Sequence, residues 1–312
     1  MSALLDVILP VFLIIGFGYA AAYAKLFDDS TVDGVMRFAQ NFAAPCLLFK
    51  SVAGLDLATA YHPALFASFY AGAFAGFGIG YFGARRVFGR TAAESVAIGF
   101  ASMFSNSLLL GIPITERAYG AQALTGNYAI ISIHAPLLYG FGITVMELVR
   151  SRGHGLSLPG LMRQVLRAIF SQPLVIGIIA GFAVNFSGMP LPQFVGSAVN
   201  LMASTAIPSA LFGLGGVLLR FSPEGDMKCI AMVCVSSLIV HPGVAYVLGR
   251  FVFDLSVPDL RSAVITGAMA PGVNAFLFAN MYGVSKRVVA SAVLIGTAAT
   301  IVTAWGWLAI LP

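Results

Sequence analysis

Two asparagines stand where an apolar chain loses its helical regularity. One stretch reads Phe104-Ser105-Asn106-Ser107-Leu108-Leu109-Leu110-Gly111-Ile112-Pro113, and another reads Met269-Ala270-Pro271-Gly272-Val273-Asn274-Ala275-Phe276. Proline removes a backbone donor and glycine loosens the chain, so both stretches read as breaks. A break leaves backbone N–H groups without partners at the start of the next helical segment. Those groups and the helix dipole favour an anion. An asparagine there caps the helix or donates its amide hydrogens to a carboxylate. Asn106 and Asn274, flanked by Ser105, Ser107, Pro271, Gly272 and Val273, form the candidate substrate-binding set. Alternatively, each Asn hydrogen-bonds two helices together. The symmetric placement at two breaks favours the ligand reading.

Other reactive groups are few. No Asp or Glu falls mid-span: Asp6, Glu94, Glu147 and Asp254 stand near span ends, and the rest lie in or beside connections. A proton antiporter built on buried carboxylates is therefore not expected. His134 and His241 are the deep ionisable side chains; each relays a proton or packs as a neutral, hydrogen-bonded ring. Gln40, Asn41 and Asn200 either face a cavity or join helices. Cys46, Cys229 and Cys234 lie in apolar stretches without metal-ligand spacing, so neither a disulfide framework nor a metal site is expected. Gly72, Gly76 and Gly80 form a doubled GxxxG pattern for close helix packing.

The elements that position these residues follow from composition. Of 312 residues, 59% are hydrophobic and only 9% charged. A soluble domain carries roughly 25% charged residues, so a cytosolic enzyme, a nucleic-acid binder and a disordered chain are all excluded. A spanning helix takes ~20 apolar residues. Apolar runs predict ten spans, at 4–24, 35–52, 63–84, 93–118, 125–149, 168–186, 194–219, 229–253, 262–281 and 288–311. The expected fold class is an all-α membrane protein. The first basic residue, Lys25, follows the first apolar run, unlike a secretory signal. Within the longest connection, Leu158, Leu161, Met162 and Val165 share one helical face opposite Arg163 and Arg167. This pattern fits a short interfacial helix, with a plain loop as the alternative.

Basic residues set the orientation. Odd-numbered connections hold 13 of the 17 Lys and Arg, among them Lys25, Arg37, Arg150, Arg220, Lys286 and Arg287. Even-numbered ones hold Lys50, Arg117, Arg250 and Arg261. Positive residues stay inside, which puts both termini on the outer face.

The halves also resemble each other. At an offset of 163, Pro10 meets Pro173, Gly18-Tyr19-Ala20 meets Gly181-Phe182-Ala183, and Pro45-Cys46-Leu47-Leu48-Phe49 meets Pro208-Ser209-Ala210-Leu211-Phe212. Tyr81 and Arg85 meet Tyr246 and Arg250 at 165, and Gly99, Asn106 and Leu109 meet Gly267, Asn274 and Leu277 at 168. Five spans per copy make the second copy inverted. The expected division is 1–150, a connection at 151–167, and 168–312. Inverted repeats with corresponding breaks are a transporter architecture, with the site at the midplane.

These motifs resemble the auxin efflux carrier family. The segments around Ser105-Asn106-Ser107 and Pro271-Gly272-Val273-Asn274 resemble its two crossover segments. Pro10-Val11-Phe12, Arg37-Phe38, Pro45-Cys46-Leu47-Leu48-Phe49 and Phe212-Gly213-Leu214-Gly215-Gly216 resemble its first, second and seventh spans. The resemblance covers nearly the whole chain and implies a bile-acid/sodium-symporter-like fold. Spans one, two, six and seven would form a dimerising scaffold. The others would form an elevator-like transport domain, with spans four and nine crossing at the substrate. Bacterial members imply malonate or malate as substrate and the inner membrane as location; plant members imply auxin. Plant exporters carry proline where this chain has Ser105.

The main expectation is a carrier of small organic anions, surrounded by lipid, without enzyme activity, bound cofactor or nucleic-acid partner. Na⁺- or H⁺-coupled symport is the alternative. An intramembrane enzyme would need His134 and His241 within reach of one another, and an anion channel would show conductance far above carrier turnover.

Overall fold

The computed structural model describes residues 4–151 and 158–312. Its elements are helical apart from one isolated antiparallel bridge. Besides the single turn Leu57–Ala60, the helices are α1 (4–23), α2 (29–53), α3 (Pro63–Arg86), α4 (Ala92–Met103), α5 (107–119), α6 (Ala121–Arg150), α7 (Leu158–Phe170), α8 (Pro173–Ser187), α9 (Gln193–Leu219), α10 (Met227–Val252), α11 (Val257–Gly267), α12 (Val273–Tyr282) and α13 (Lys286–Ile310).

Six of these helices, α1, α3, α6, α9, α10 and α13, are long and apolar enough to cross a membrane unbroken. The bent pair α7–α8, at 79°, gives a seventh candidate. The expected spans four and nine divide into α4–α5 and α11–α12. A 12-residue helix such as α4 rises only ~18 Å, well short of a bilayer core of about 30 Å. The expected second span is continuous as α2 but opens with the polar turn Asp29-Ser30-Thr31. Asp28 caps it, accepting from the Thr31 N–H at 2.8 Å. Hydrogen bonds from the Thr31 hydroxyl and N–H hold the Asp28 carboxyl below its ordinary pKa.

The connection between the halves holds a helix, α7. Leu161 and Val165 are half-buried, but Met162 on the expected face is exposed. Residues 152–157 and the Leu158 side chain lie outside the described residues. The sixth span starts later than expected. Ala168–Phe170 finish α7, and the chain turns at Ser171 and Gln172. Pro173 disfavours helix at the residue before it and so starts α8 afresh.

Prolines also shape helix interiors. Five described turns are wound wider than α: Leu4–Ile8, Ala39–Ala43, Ser107–Gly111, Ser236–Val240 and Leu248–Val252. Four of them end two residues before a proline, namely Pro10, Pro45, Pro113 and Pro242. The ring lacks an N–H and crowds the carbonyl four residues back, and the turn relaxes by widening.

The helices pack in two groups. In one, α1 and α2 pack on α9 and α8. A Cβ on Gly215 would lie 2.0 Å from the Ile15 carbonyl oxygen, and one on Gly177 would lie 2.5 Å from that of Pro45. The second group holds α3 to α6 and α10 to α13. Here Gly72 and Gly76 of α3 press on His241 and Ser102, whose carbonyl oxygens would lie 2.3 and 2.6 Å from an added Cβ. None of the described glycines makes such an approach from one group to the other.

Candidate functional site

The α4–α5 and α11–α12 breaks meet. Ser105 and Pro271 pair as an antiparallel bridge. Asn106 N–H donates to the Ala270 carbonyl at 2.8 Å, and Gly272 N–H donates to the Phe104 carbonyl at 2.9 Å. Two chain segments that would each leave bare peptide groups inside the protein thus satisfy one another, as burial demands. Beyond the bridge, α5 begins at Ser107 and α12 at Val273.

A cavity of about 270 Å³ opens at this bridge. Ser105, Asn106 and Ser107 line it from the first break, and Gly272, Val273 and Asn274 from the second. Gln40 and Asn41 reach it from the wide turn of α2, and His134 from α6. Among the described residues, no Lys, Arg, Asp or Glu lines it. The backbone N–H groups of Leu108, Leu109, Val273 and Asn274, all at the cavity wall, find no acceptor among the described residues. The side-chain amides of Asn106 and Asn274 likewise make no hydrogen bond there, and neither caps its helix.

Tie-forming asparagines look different. Asn127 Nδ2 donates to Thr115 Oγ1 at 3.1 Å and Thr266 Oγ1 at 2.7 Å, while its Oδ1 accepts from Ser262 at 3.0 Å. Asn185 Nδ2 reaches the carbonyls of Val52, Ala53 and Leu55 at 3.0, 3.1 and 2.7 Å. Amides that join helices in this protein are saturated; those at the breaks are free.

Three expected residues stand outside the cavity lining. Pro271 is buried, with its ring against α13 near Gly296. Asn200 is exposed on α9 and lines a separate cavity beside Lys50 and Arg117. His241 is wholly buried between Gly72 and Gly267. The Phe69 ring packs edge-on against both His134, at 5.6 Å, and His241, at 4.8 Å. The two imidazoles do not hydrogen-bond to each other, and their nitrogens make no hydrogen bond of good geometry.

Two polar lining residues escaped sequence reasoning. Tyr139 donates its hydroxyl to the Asn274 carbonyl at 3.1 Å, supporting the second break from α6. Gln172 enters at the turn before Pro173. Only the turn signal of Pro173 marked the second; nothing in sequence marked the first.

An all-helical, membrane-spanning chain with paired breaks around a small cavity, apolar apart from a few amides and hydroxyls, is a membrane transporter by class. The family described as "Membrane transport protein" matches residues 3–308. The chain belongs to that family, the auxin efflux carrier family. It is 23% identical to the "Putative malonate transporter" of Rhizobium meliloti (strain 1021), over 99% of this chain and 96% of that one. It is 22% identical to the "Uncharacterized transporter YfdV" of Escherichia coli (strain K12), over 96% and 95%. It is also 26% identical to the "Probable auxin efflux carrier component 5b" of Oryza sativa subsp. japonica, over 46% of this chain and 41% of that protein.

Proposed function

We propose that this transporter moves small carboxylates, such as malonate, malate or auxin-like acids, across the bacterial inner membrane. The substrate binds where the expected spans four and nine cross. One observation carries the reading: the Asn106 and Asn274 amides and four backbone N–H groups face one cavity with no acceptor among the described residues. Donors without acceptors, in a site without cations, suit a carboxylate held by hydrogen bonds and two helix starts. The malonate name of one relative agrees with a small acid.

In this reading the two five-span repeats are inverted about the site. The group of α1, α2, α8 and α9 is the frame and the surface of a homodimer; the other group carries the site in an elevator-like movement. Both termini face outward. Movement is uncoupled and electrogenic, because among the described residues no carboxylate lines the cavity to carry a proton or anchor Na⁺. An inside-negative potential gives each charge about 2.3 kcal/mol per 100 mV, so an exported monoanion runs downhill.

Sealed proteoliposomes loaded with malonate, without Na⁺ or pH gradients, test this under a K⁺-diffusion potential. Malonate flux should saturate and follow the imposed voltage. Flux only after a Na⁺ or H⁺ gradient is added would replace the uncoupled reading with symport. No saturable flux under any gradient would overturn the carboxylate reading.

A further inference from the structure

A second, larger cavity of about 810 Å³ adjoins the first. The two share Gln40, Val273 and Leu277 in their linings. The larger one is therefore a vestibule to the amide site. By contrast, the cavity holding Asn200 shares no lining residue with the amide site. The vestibule stands between the two helix groups: α2 and the end of α9 form one wall, α12 and the start of α13 the other. It lies at the end that the basic-residue count assigns to the cytoplasm.

Six charged side chains line it, and four of them cancel. Arg220 is held by Asp33 at 2.7 Å and by Asp29 at 2.9 Å. Glu224 faces Arg287 at 3.8 Å. Arg37 and Lys286 remain. Arg37 gives only its Nε to the Asp33 backbone carbonyl, at 3.3 Å, which leaves both terminal NH₂ groups free. Neither Arg37 nor Lys286 has an ion pair among the described residues. The lining thus holds four basic and two acidic side chains, a net +2 that Asp29, bonded to Arg220 from outside it, reduces to +1, and it leads into a site with no charged side chain among the described residues.

We propose that Arg37 and Lys286 form a receiving station for the carboxylate, which binds there weakly before it passes Gln40 to the amides. The proposal rests on the carboxylate reading of the inner cavity and adds the residues that feed it. A cleft whose net charge is of one sign concentrates its counter-ion; such steering raises association rates by ~10–10³-fold, an advantage that salt removes. Separating the tasks also has a physical purpose. A cation inside the inner cavity would hold a carboxylate too firmly to release, whereas a hydrated cation at the mouth attracts it and lets it go.

The test uses the full chain and malonate as probe. In proteoliposomes at low ionic strength, the R37Q/K286Q double variant should lower kcat/KM for malonate about 10-fold. In about 0.5 M salt, where the screening length is only a few ångströms, the difference should close. Arg37→Lys, which keeps the charge, should restore most of the low-salt rate. A second measurement separates this proposal from the reading beneath it. Calorimetric titration of an N106A/N274A variant should leave a weak, salt-sensitive malonate site, and adding R37Q/K286Q should abolish it. If R37Q/K286Q leaves kcat/KM unchanged at low salt while Asn106→Ala lowers it, the receiving station is wrong and the amide site stands. If Asn106→Ala has no effect while R37Q/K286Q does, the amide reading fails and the vestibule is itself the binding site. A loss in R37Q/K286Q that persists in high salt would also overturn the station, because it would then not act through charge.

Discussion

The two breaks reach one geometry by different chemistry. At the second, Pro271 and Gly272 enforce the interruption; Pro271 cannot donate and Gly272 starts α12 from an extended conformation. At the first, no proline lies between α4 and α5. Ser105 and Ser107 instead share a hydroxyl hydrogen bond at 2.8 Å, and Ser107 also donates to the Thr266 carbonyl at 3.3 Å. Repeat alignment pairs Asn106 with Asn274, yet the helix starts pair Asn106 with Gly272. Asn106 is therefore the residue that opens α5, while Asn274 lies one residue inside α12. A ring closes one break and a hydroxyl pair closes the other, and the two asparagines approach their shared cavity from different steps of the helix.

This asymmetry ranks the expected mutational effects. Asn106→Ala should weaken malonate binding most. Asn106 is only 7% exposed, and a hydrogen bond to a charged group contributes ~1.5–3 kcal/mol, or roughly 10- to 150-fold in affinity. Asn274→Ala, at a more open position, should fall near the lower end of that range. Calorimetry on both variants checks the order; equal losses would make the two positions equivalent despite their different steps.

Next in size is a pair of glycine substitutions behind the breaks. An added Cβ at Gly296 would lie 3.0 Å from the Pro271 ring, whereas one at Gly111 meets nothing nearer than 3.6 Å. Gly296→Ala should lower stability by ~1–3 kcal/mol through overpacking, and Gly111→Ala should be nearly neutral. Thermal unfolding in detergent reads the difference; a neutral Gly296→Ala would mean that the proline break has room to shift.

Tyr139→Phe removes the donor to the Asn274 carbonyl and should cost ~0.5–1.5 kcal/mol. Because Tyr139 supports only the second break, its loss should add to that of Asn106→Ala without coupling. A double-mutant cycle on malonate affinity that finds strong coupling would show the breaks acting as one unit.

Ser105→Pro should have the smallest effect. Ser105 N–H donates to nothing, just as Pro271, opposite it, has nothing to donate. Phe104 already holds an extended conformation at φ −91° and ψ 84°, which a following proline tolerates. The variant should fold and bind malonate within about three-fold of wild type, less than a single hydrogen bond is worth. Misfolding would show that the hydroxyl pair, rather than the bridge, holds the first break.

Local chemistry made much of this legible beforehand. Hydropathy located every long helix, and the Pro and Gly signals located both breaks and the cavity residues beside them. Ten apolar runs nevertheless overstate continuity, because hydropathy counts residues and ignores where a helix is cut; α4 and α5 read as one run. The same insensitivity gave Ala168–Phe170 to the sixth span rather than to α7. Contacts across the chain were not legible. Tyr139 is one tyrosine among ten until the fold sets it against Asn274, and only the fold shows that Asn200 lines a different cavity and that His241 is buried behind the site. The free or saturated state of an asparagine amide, which separates Asn106 from Asn127, depends wholly on what other segments bring to it.

The placement of the tight glycines bears on how such a chain can change over generations. Where a described glycine lies against backbone, a single added methyl is punished, and those places all lie within one helix group or the other. Across the seam between the groups, no described glycine makes such an approach. A changed side chain there meets no glycine-tight backbone, so substitutions in the group that holds the two breaks need not be matched in the other. The two helix groups can diverge at separate rates within one gene.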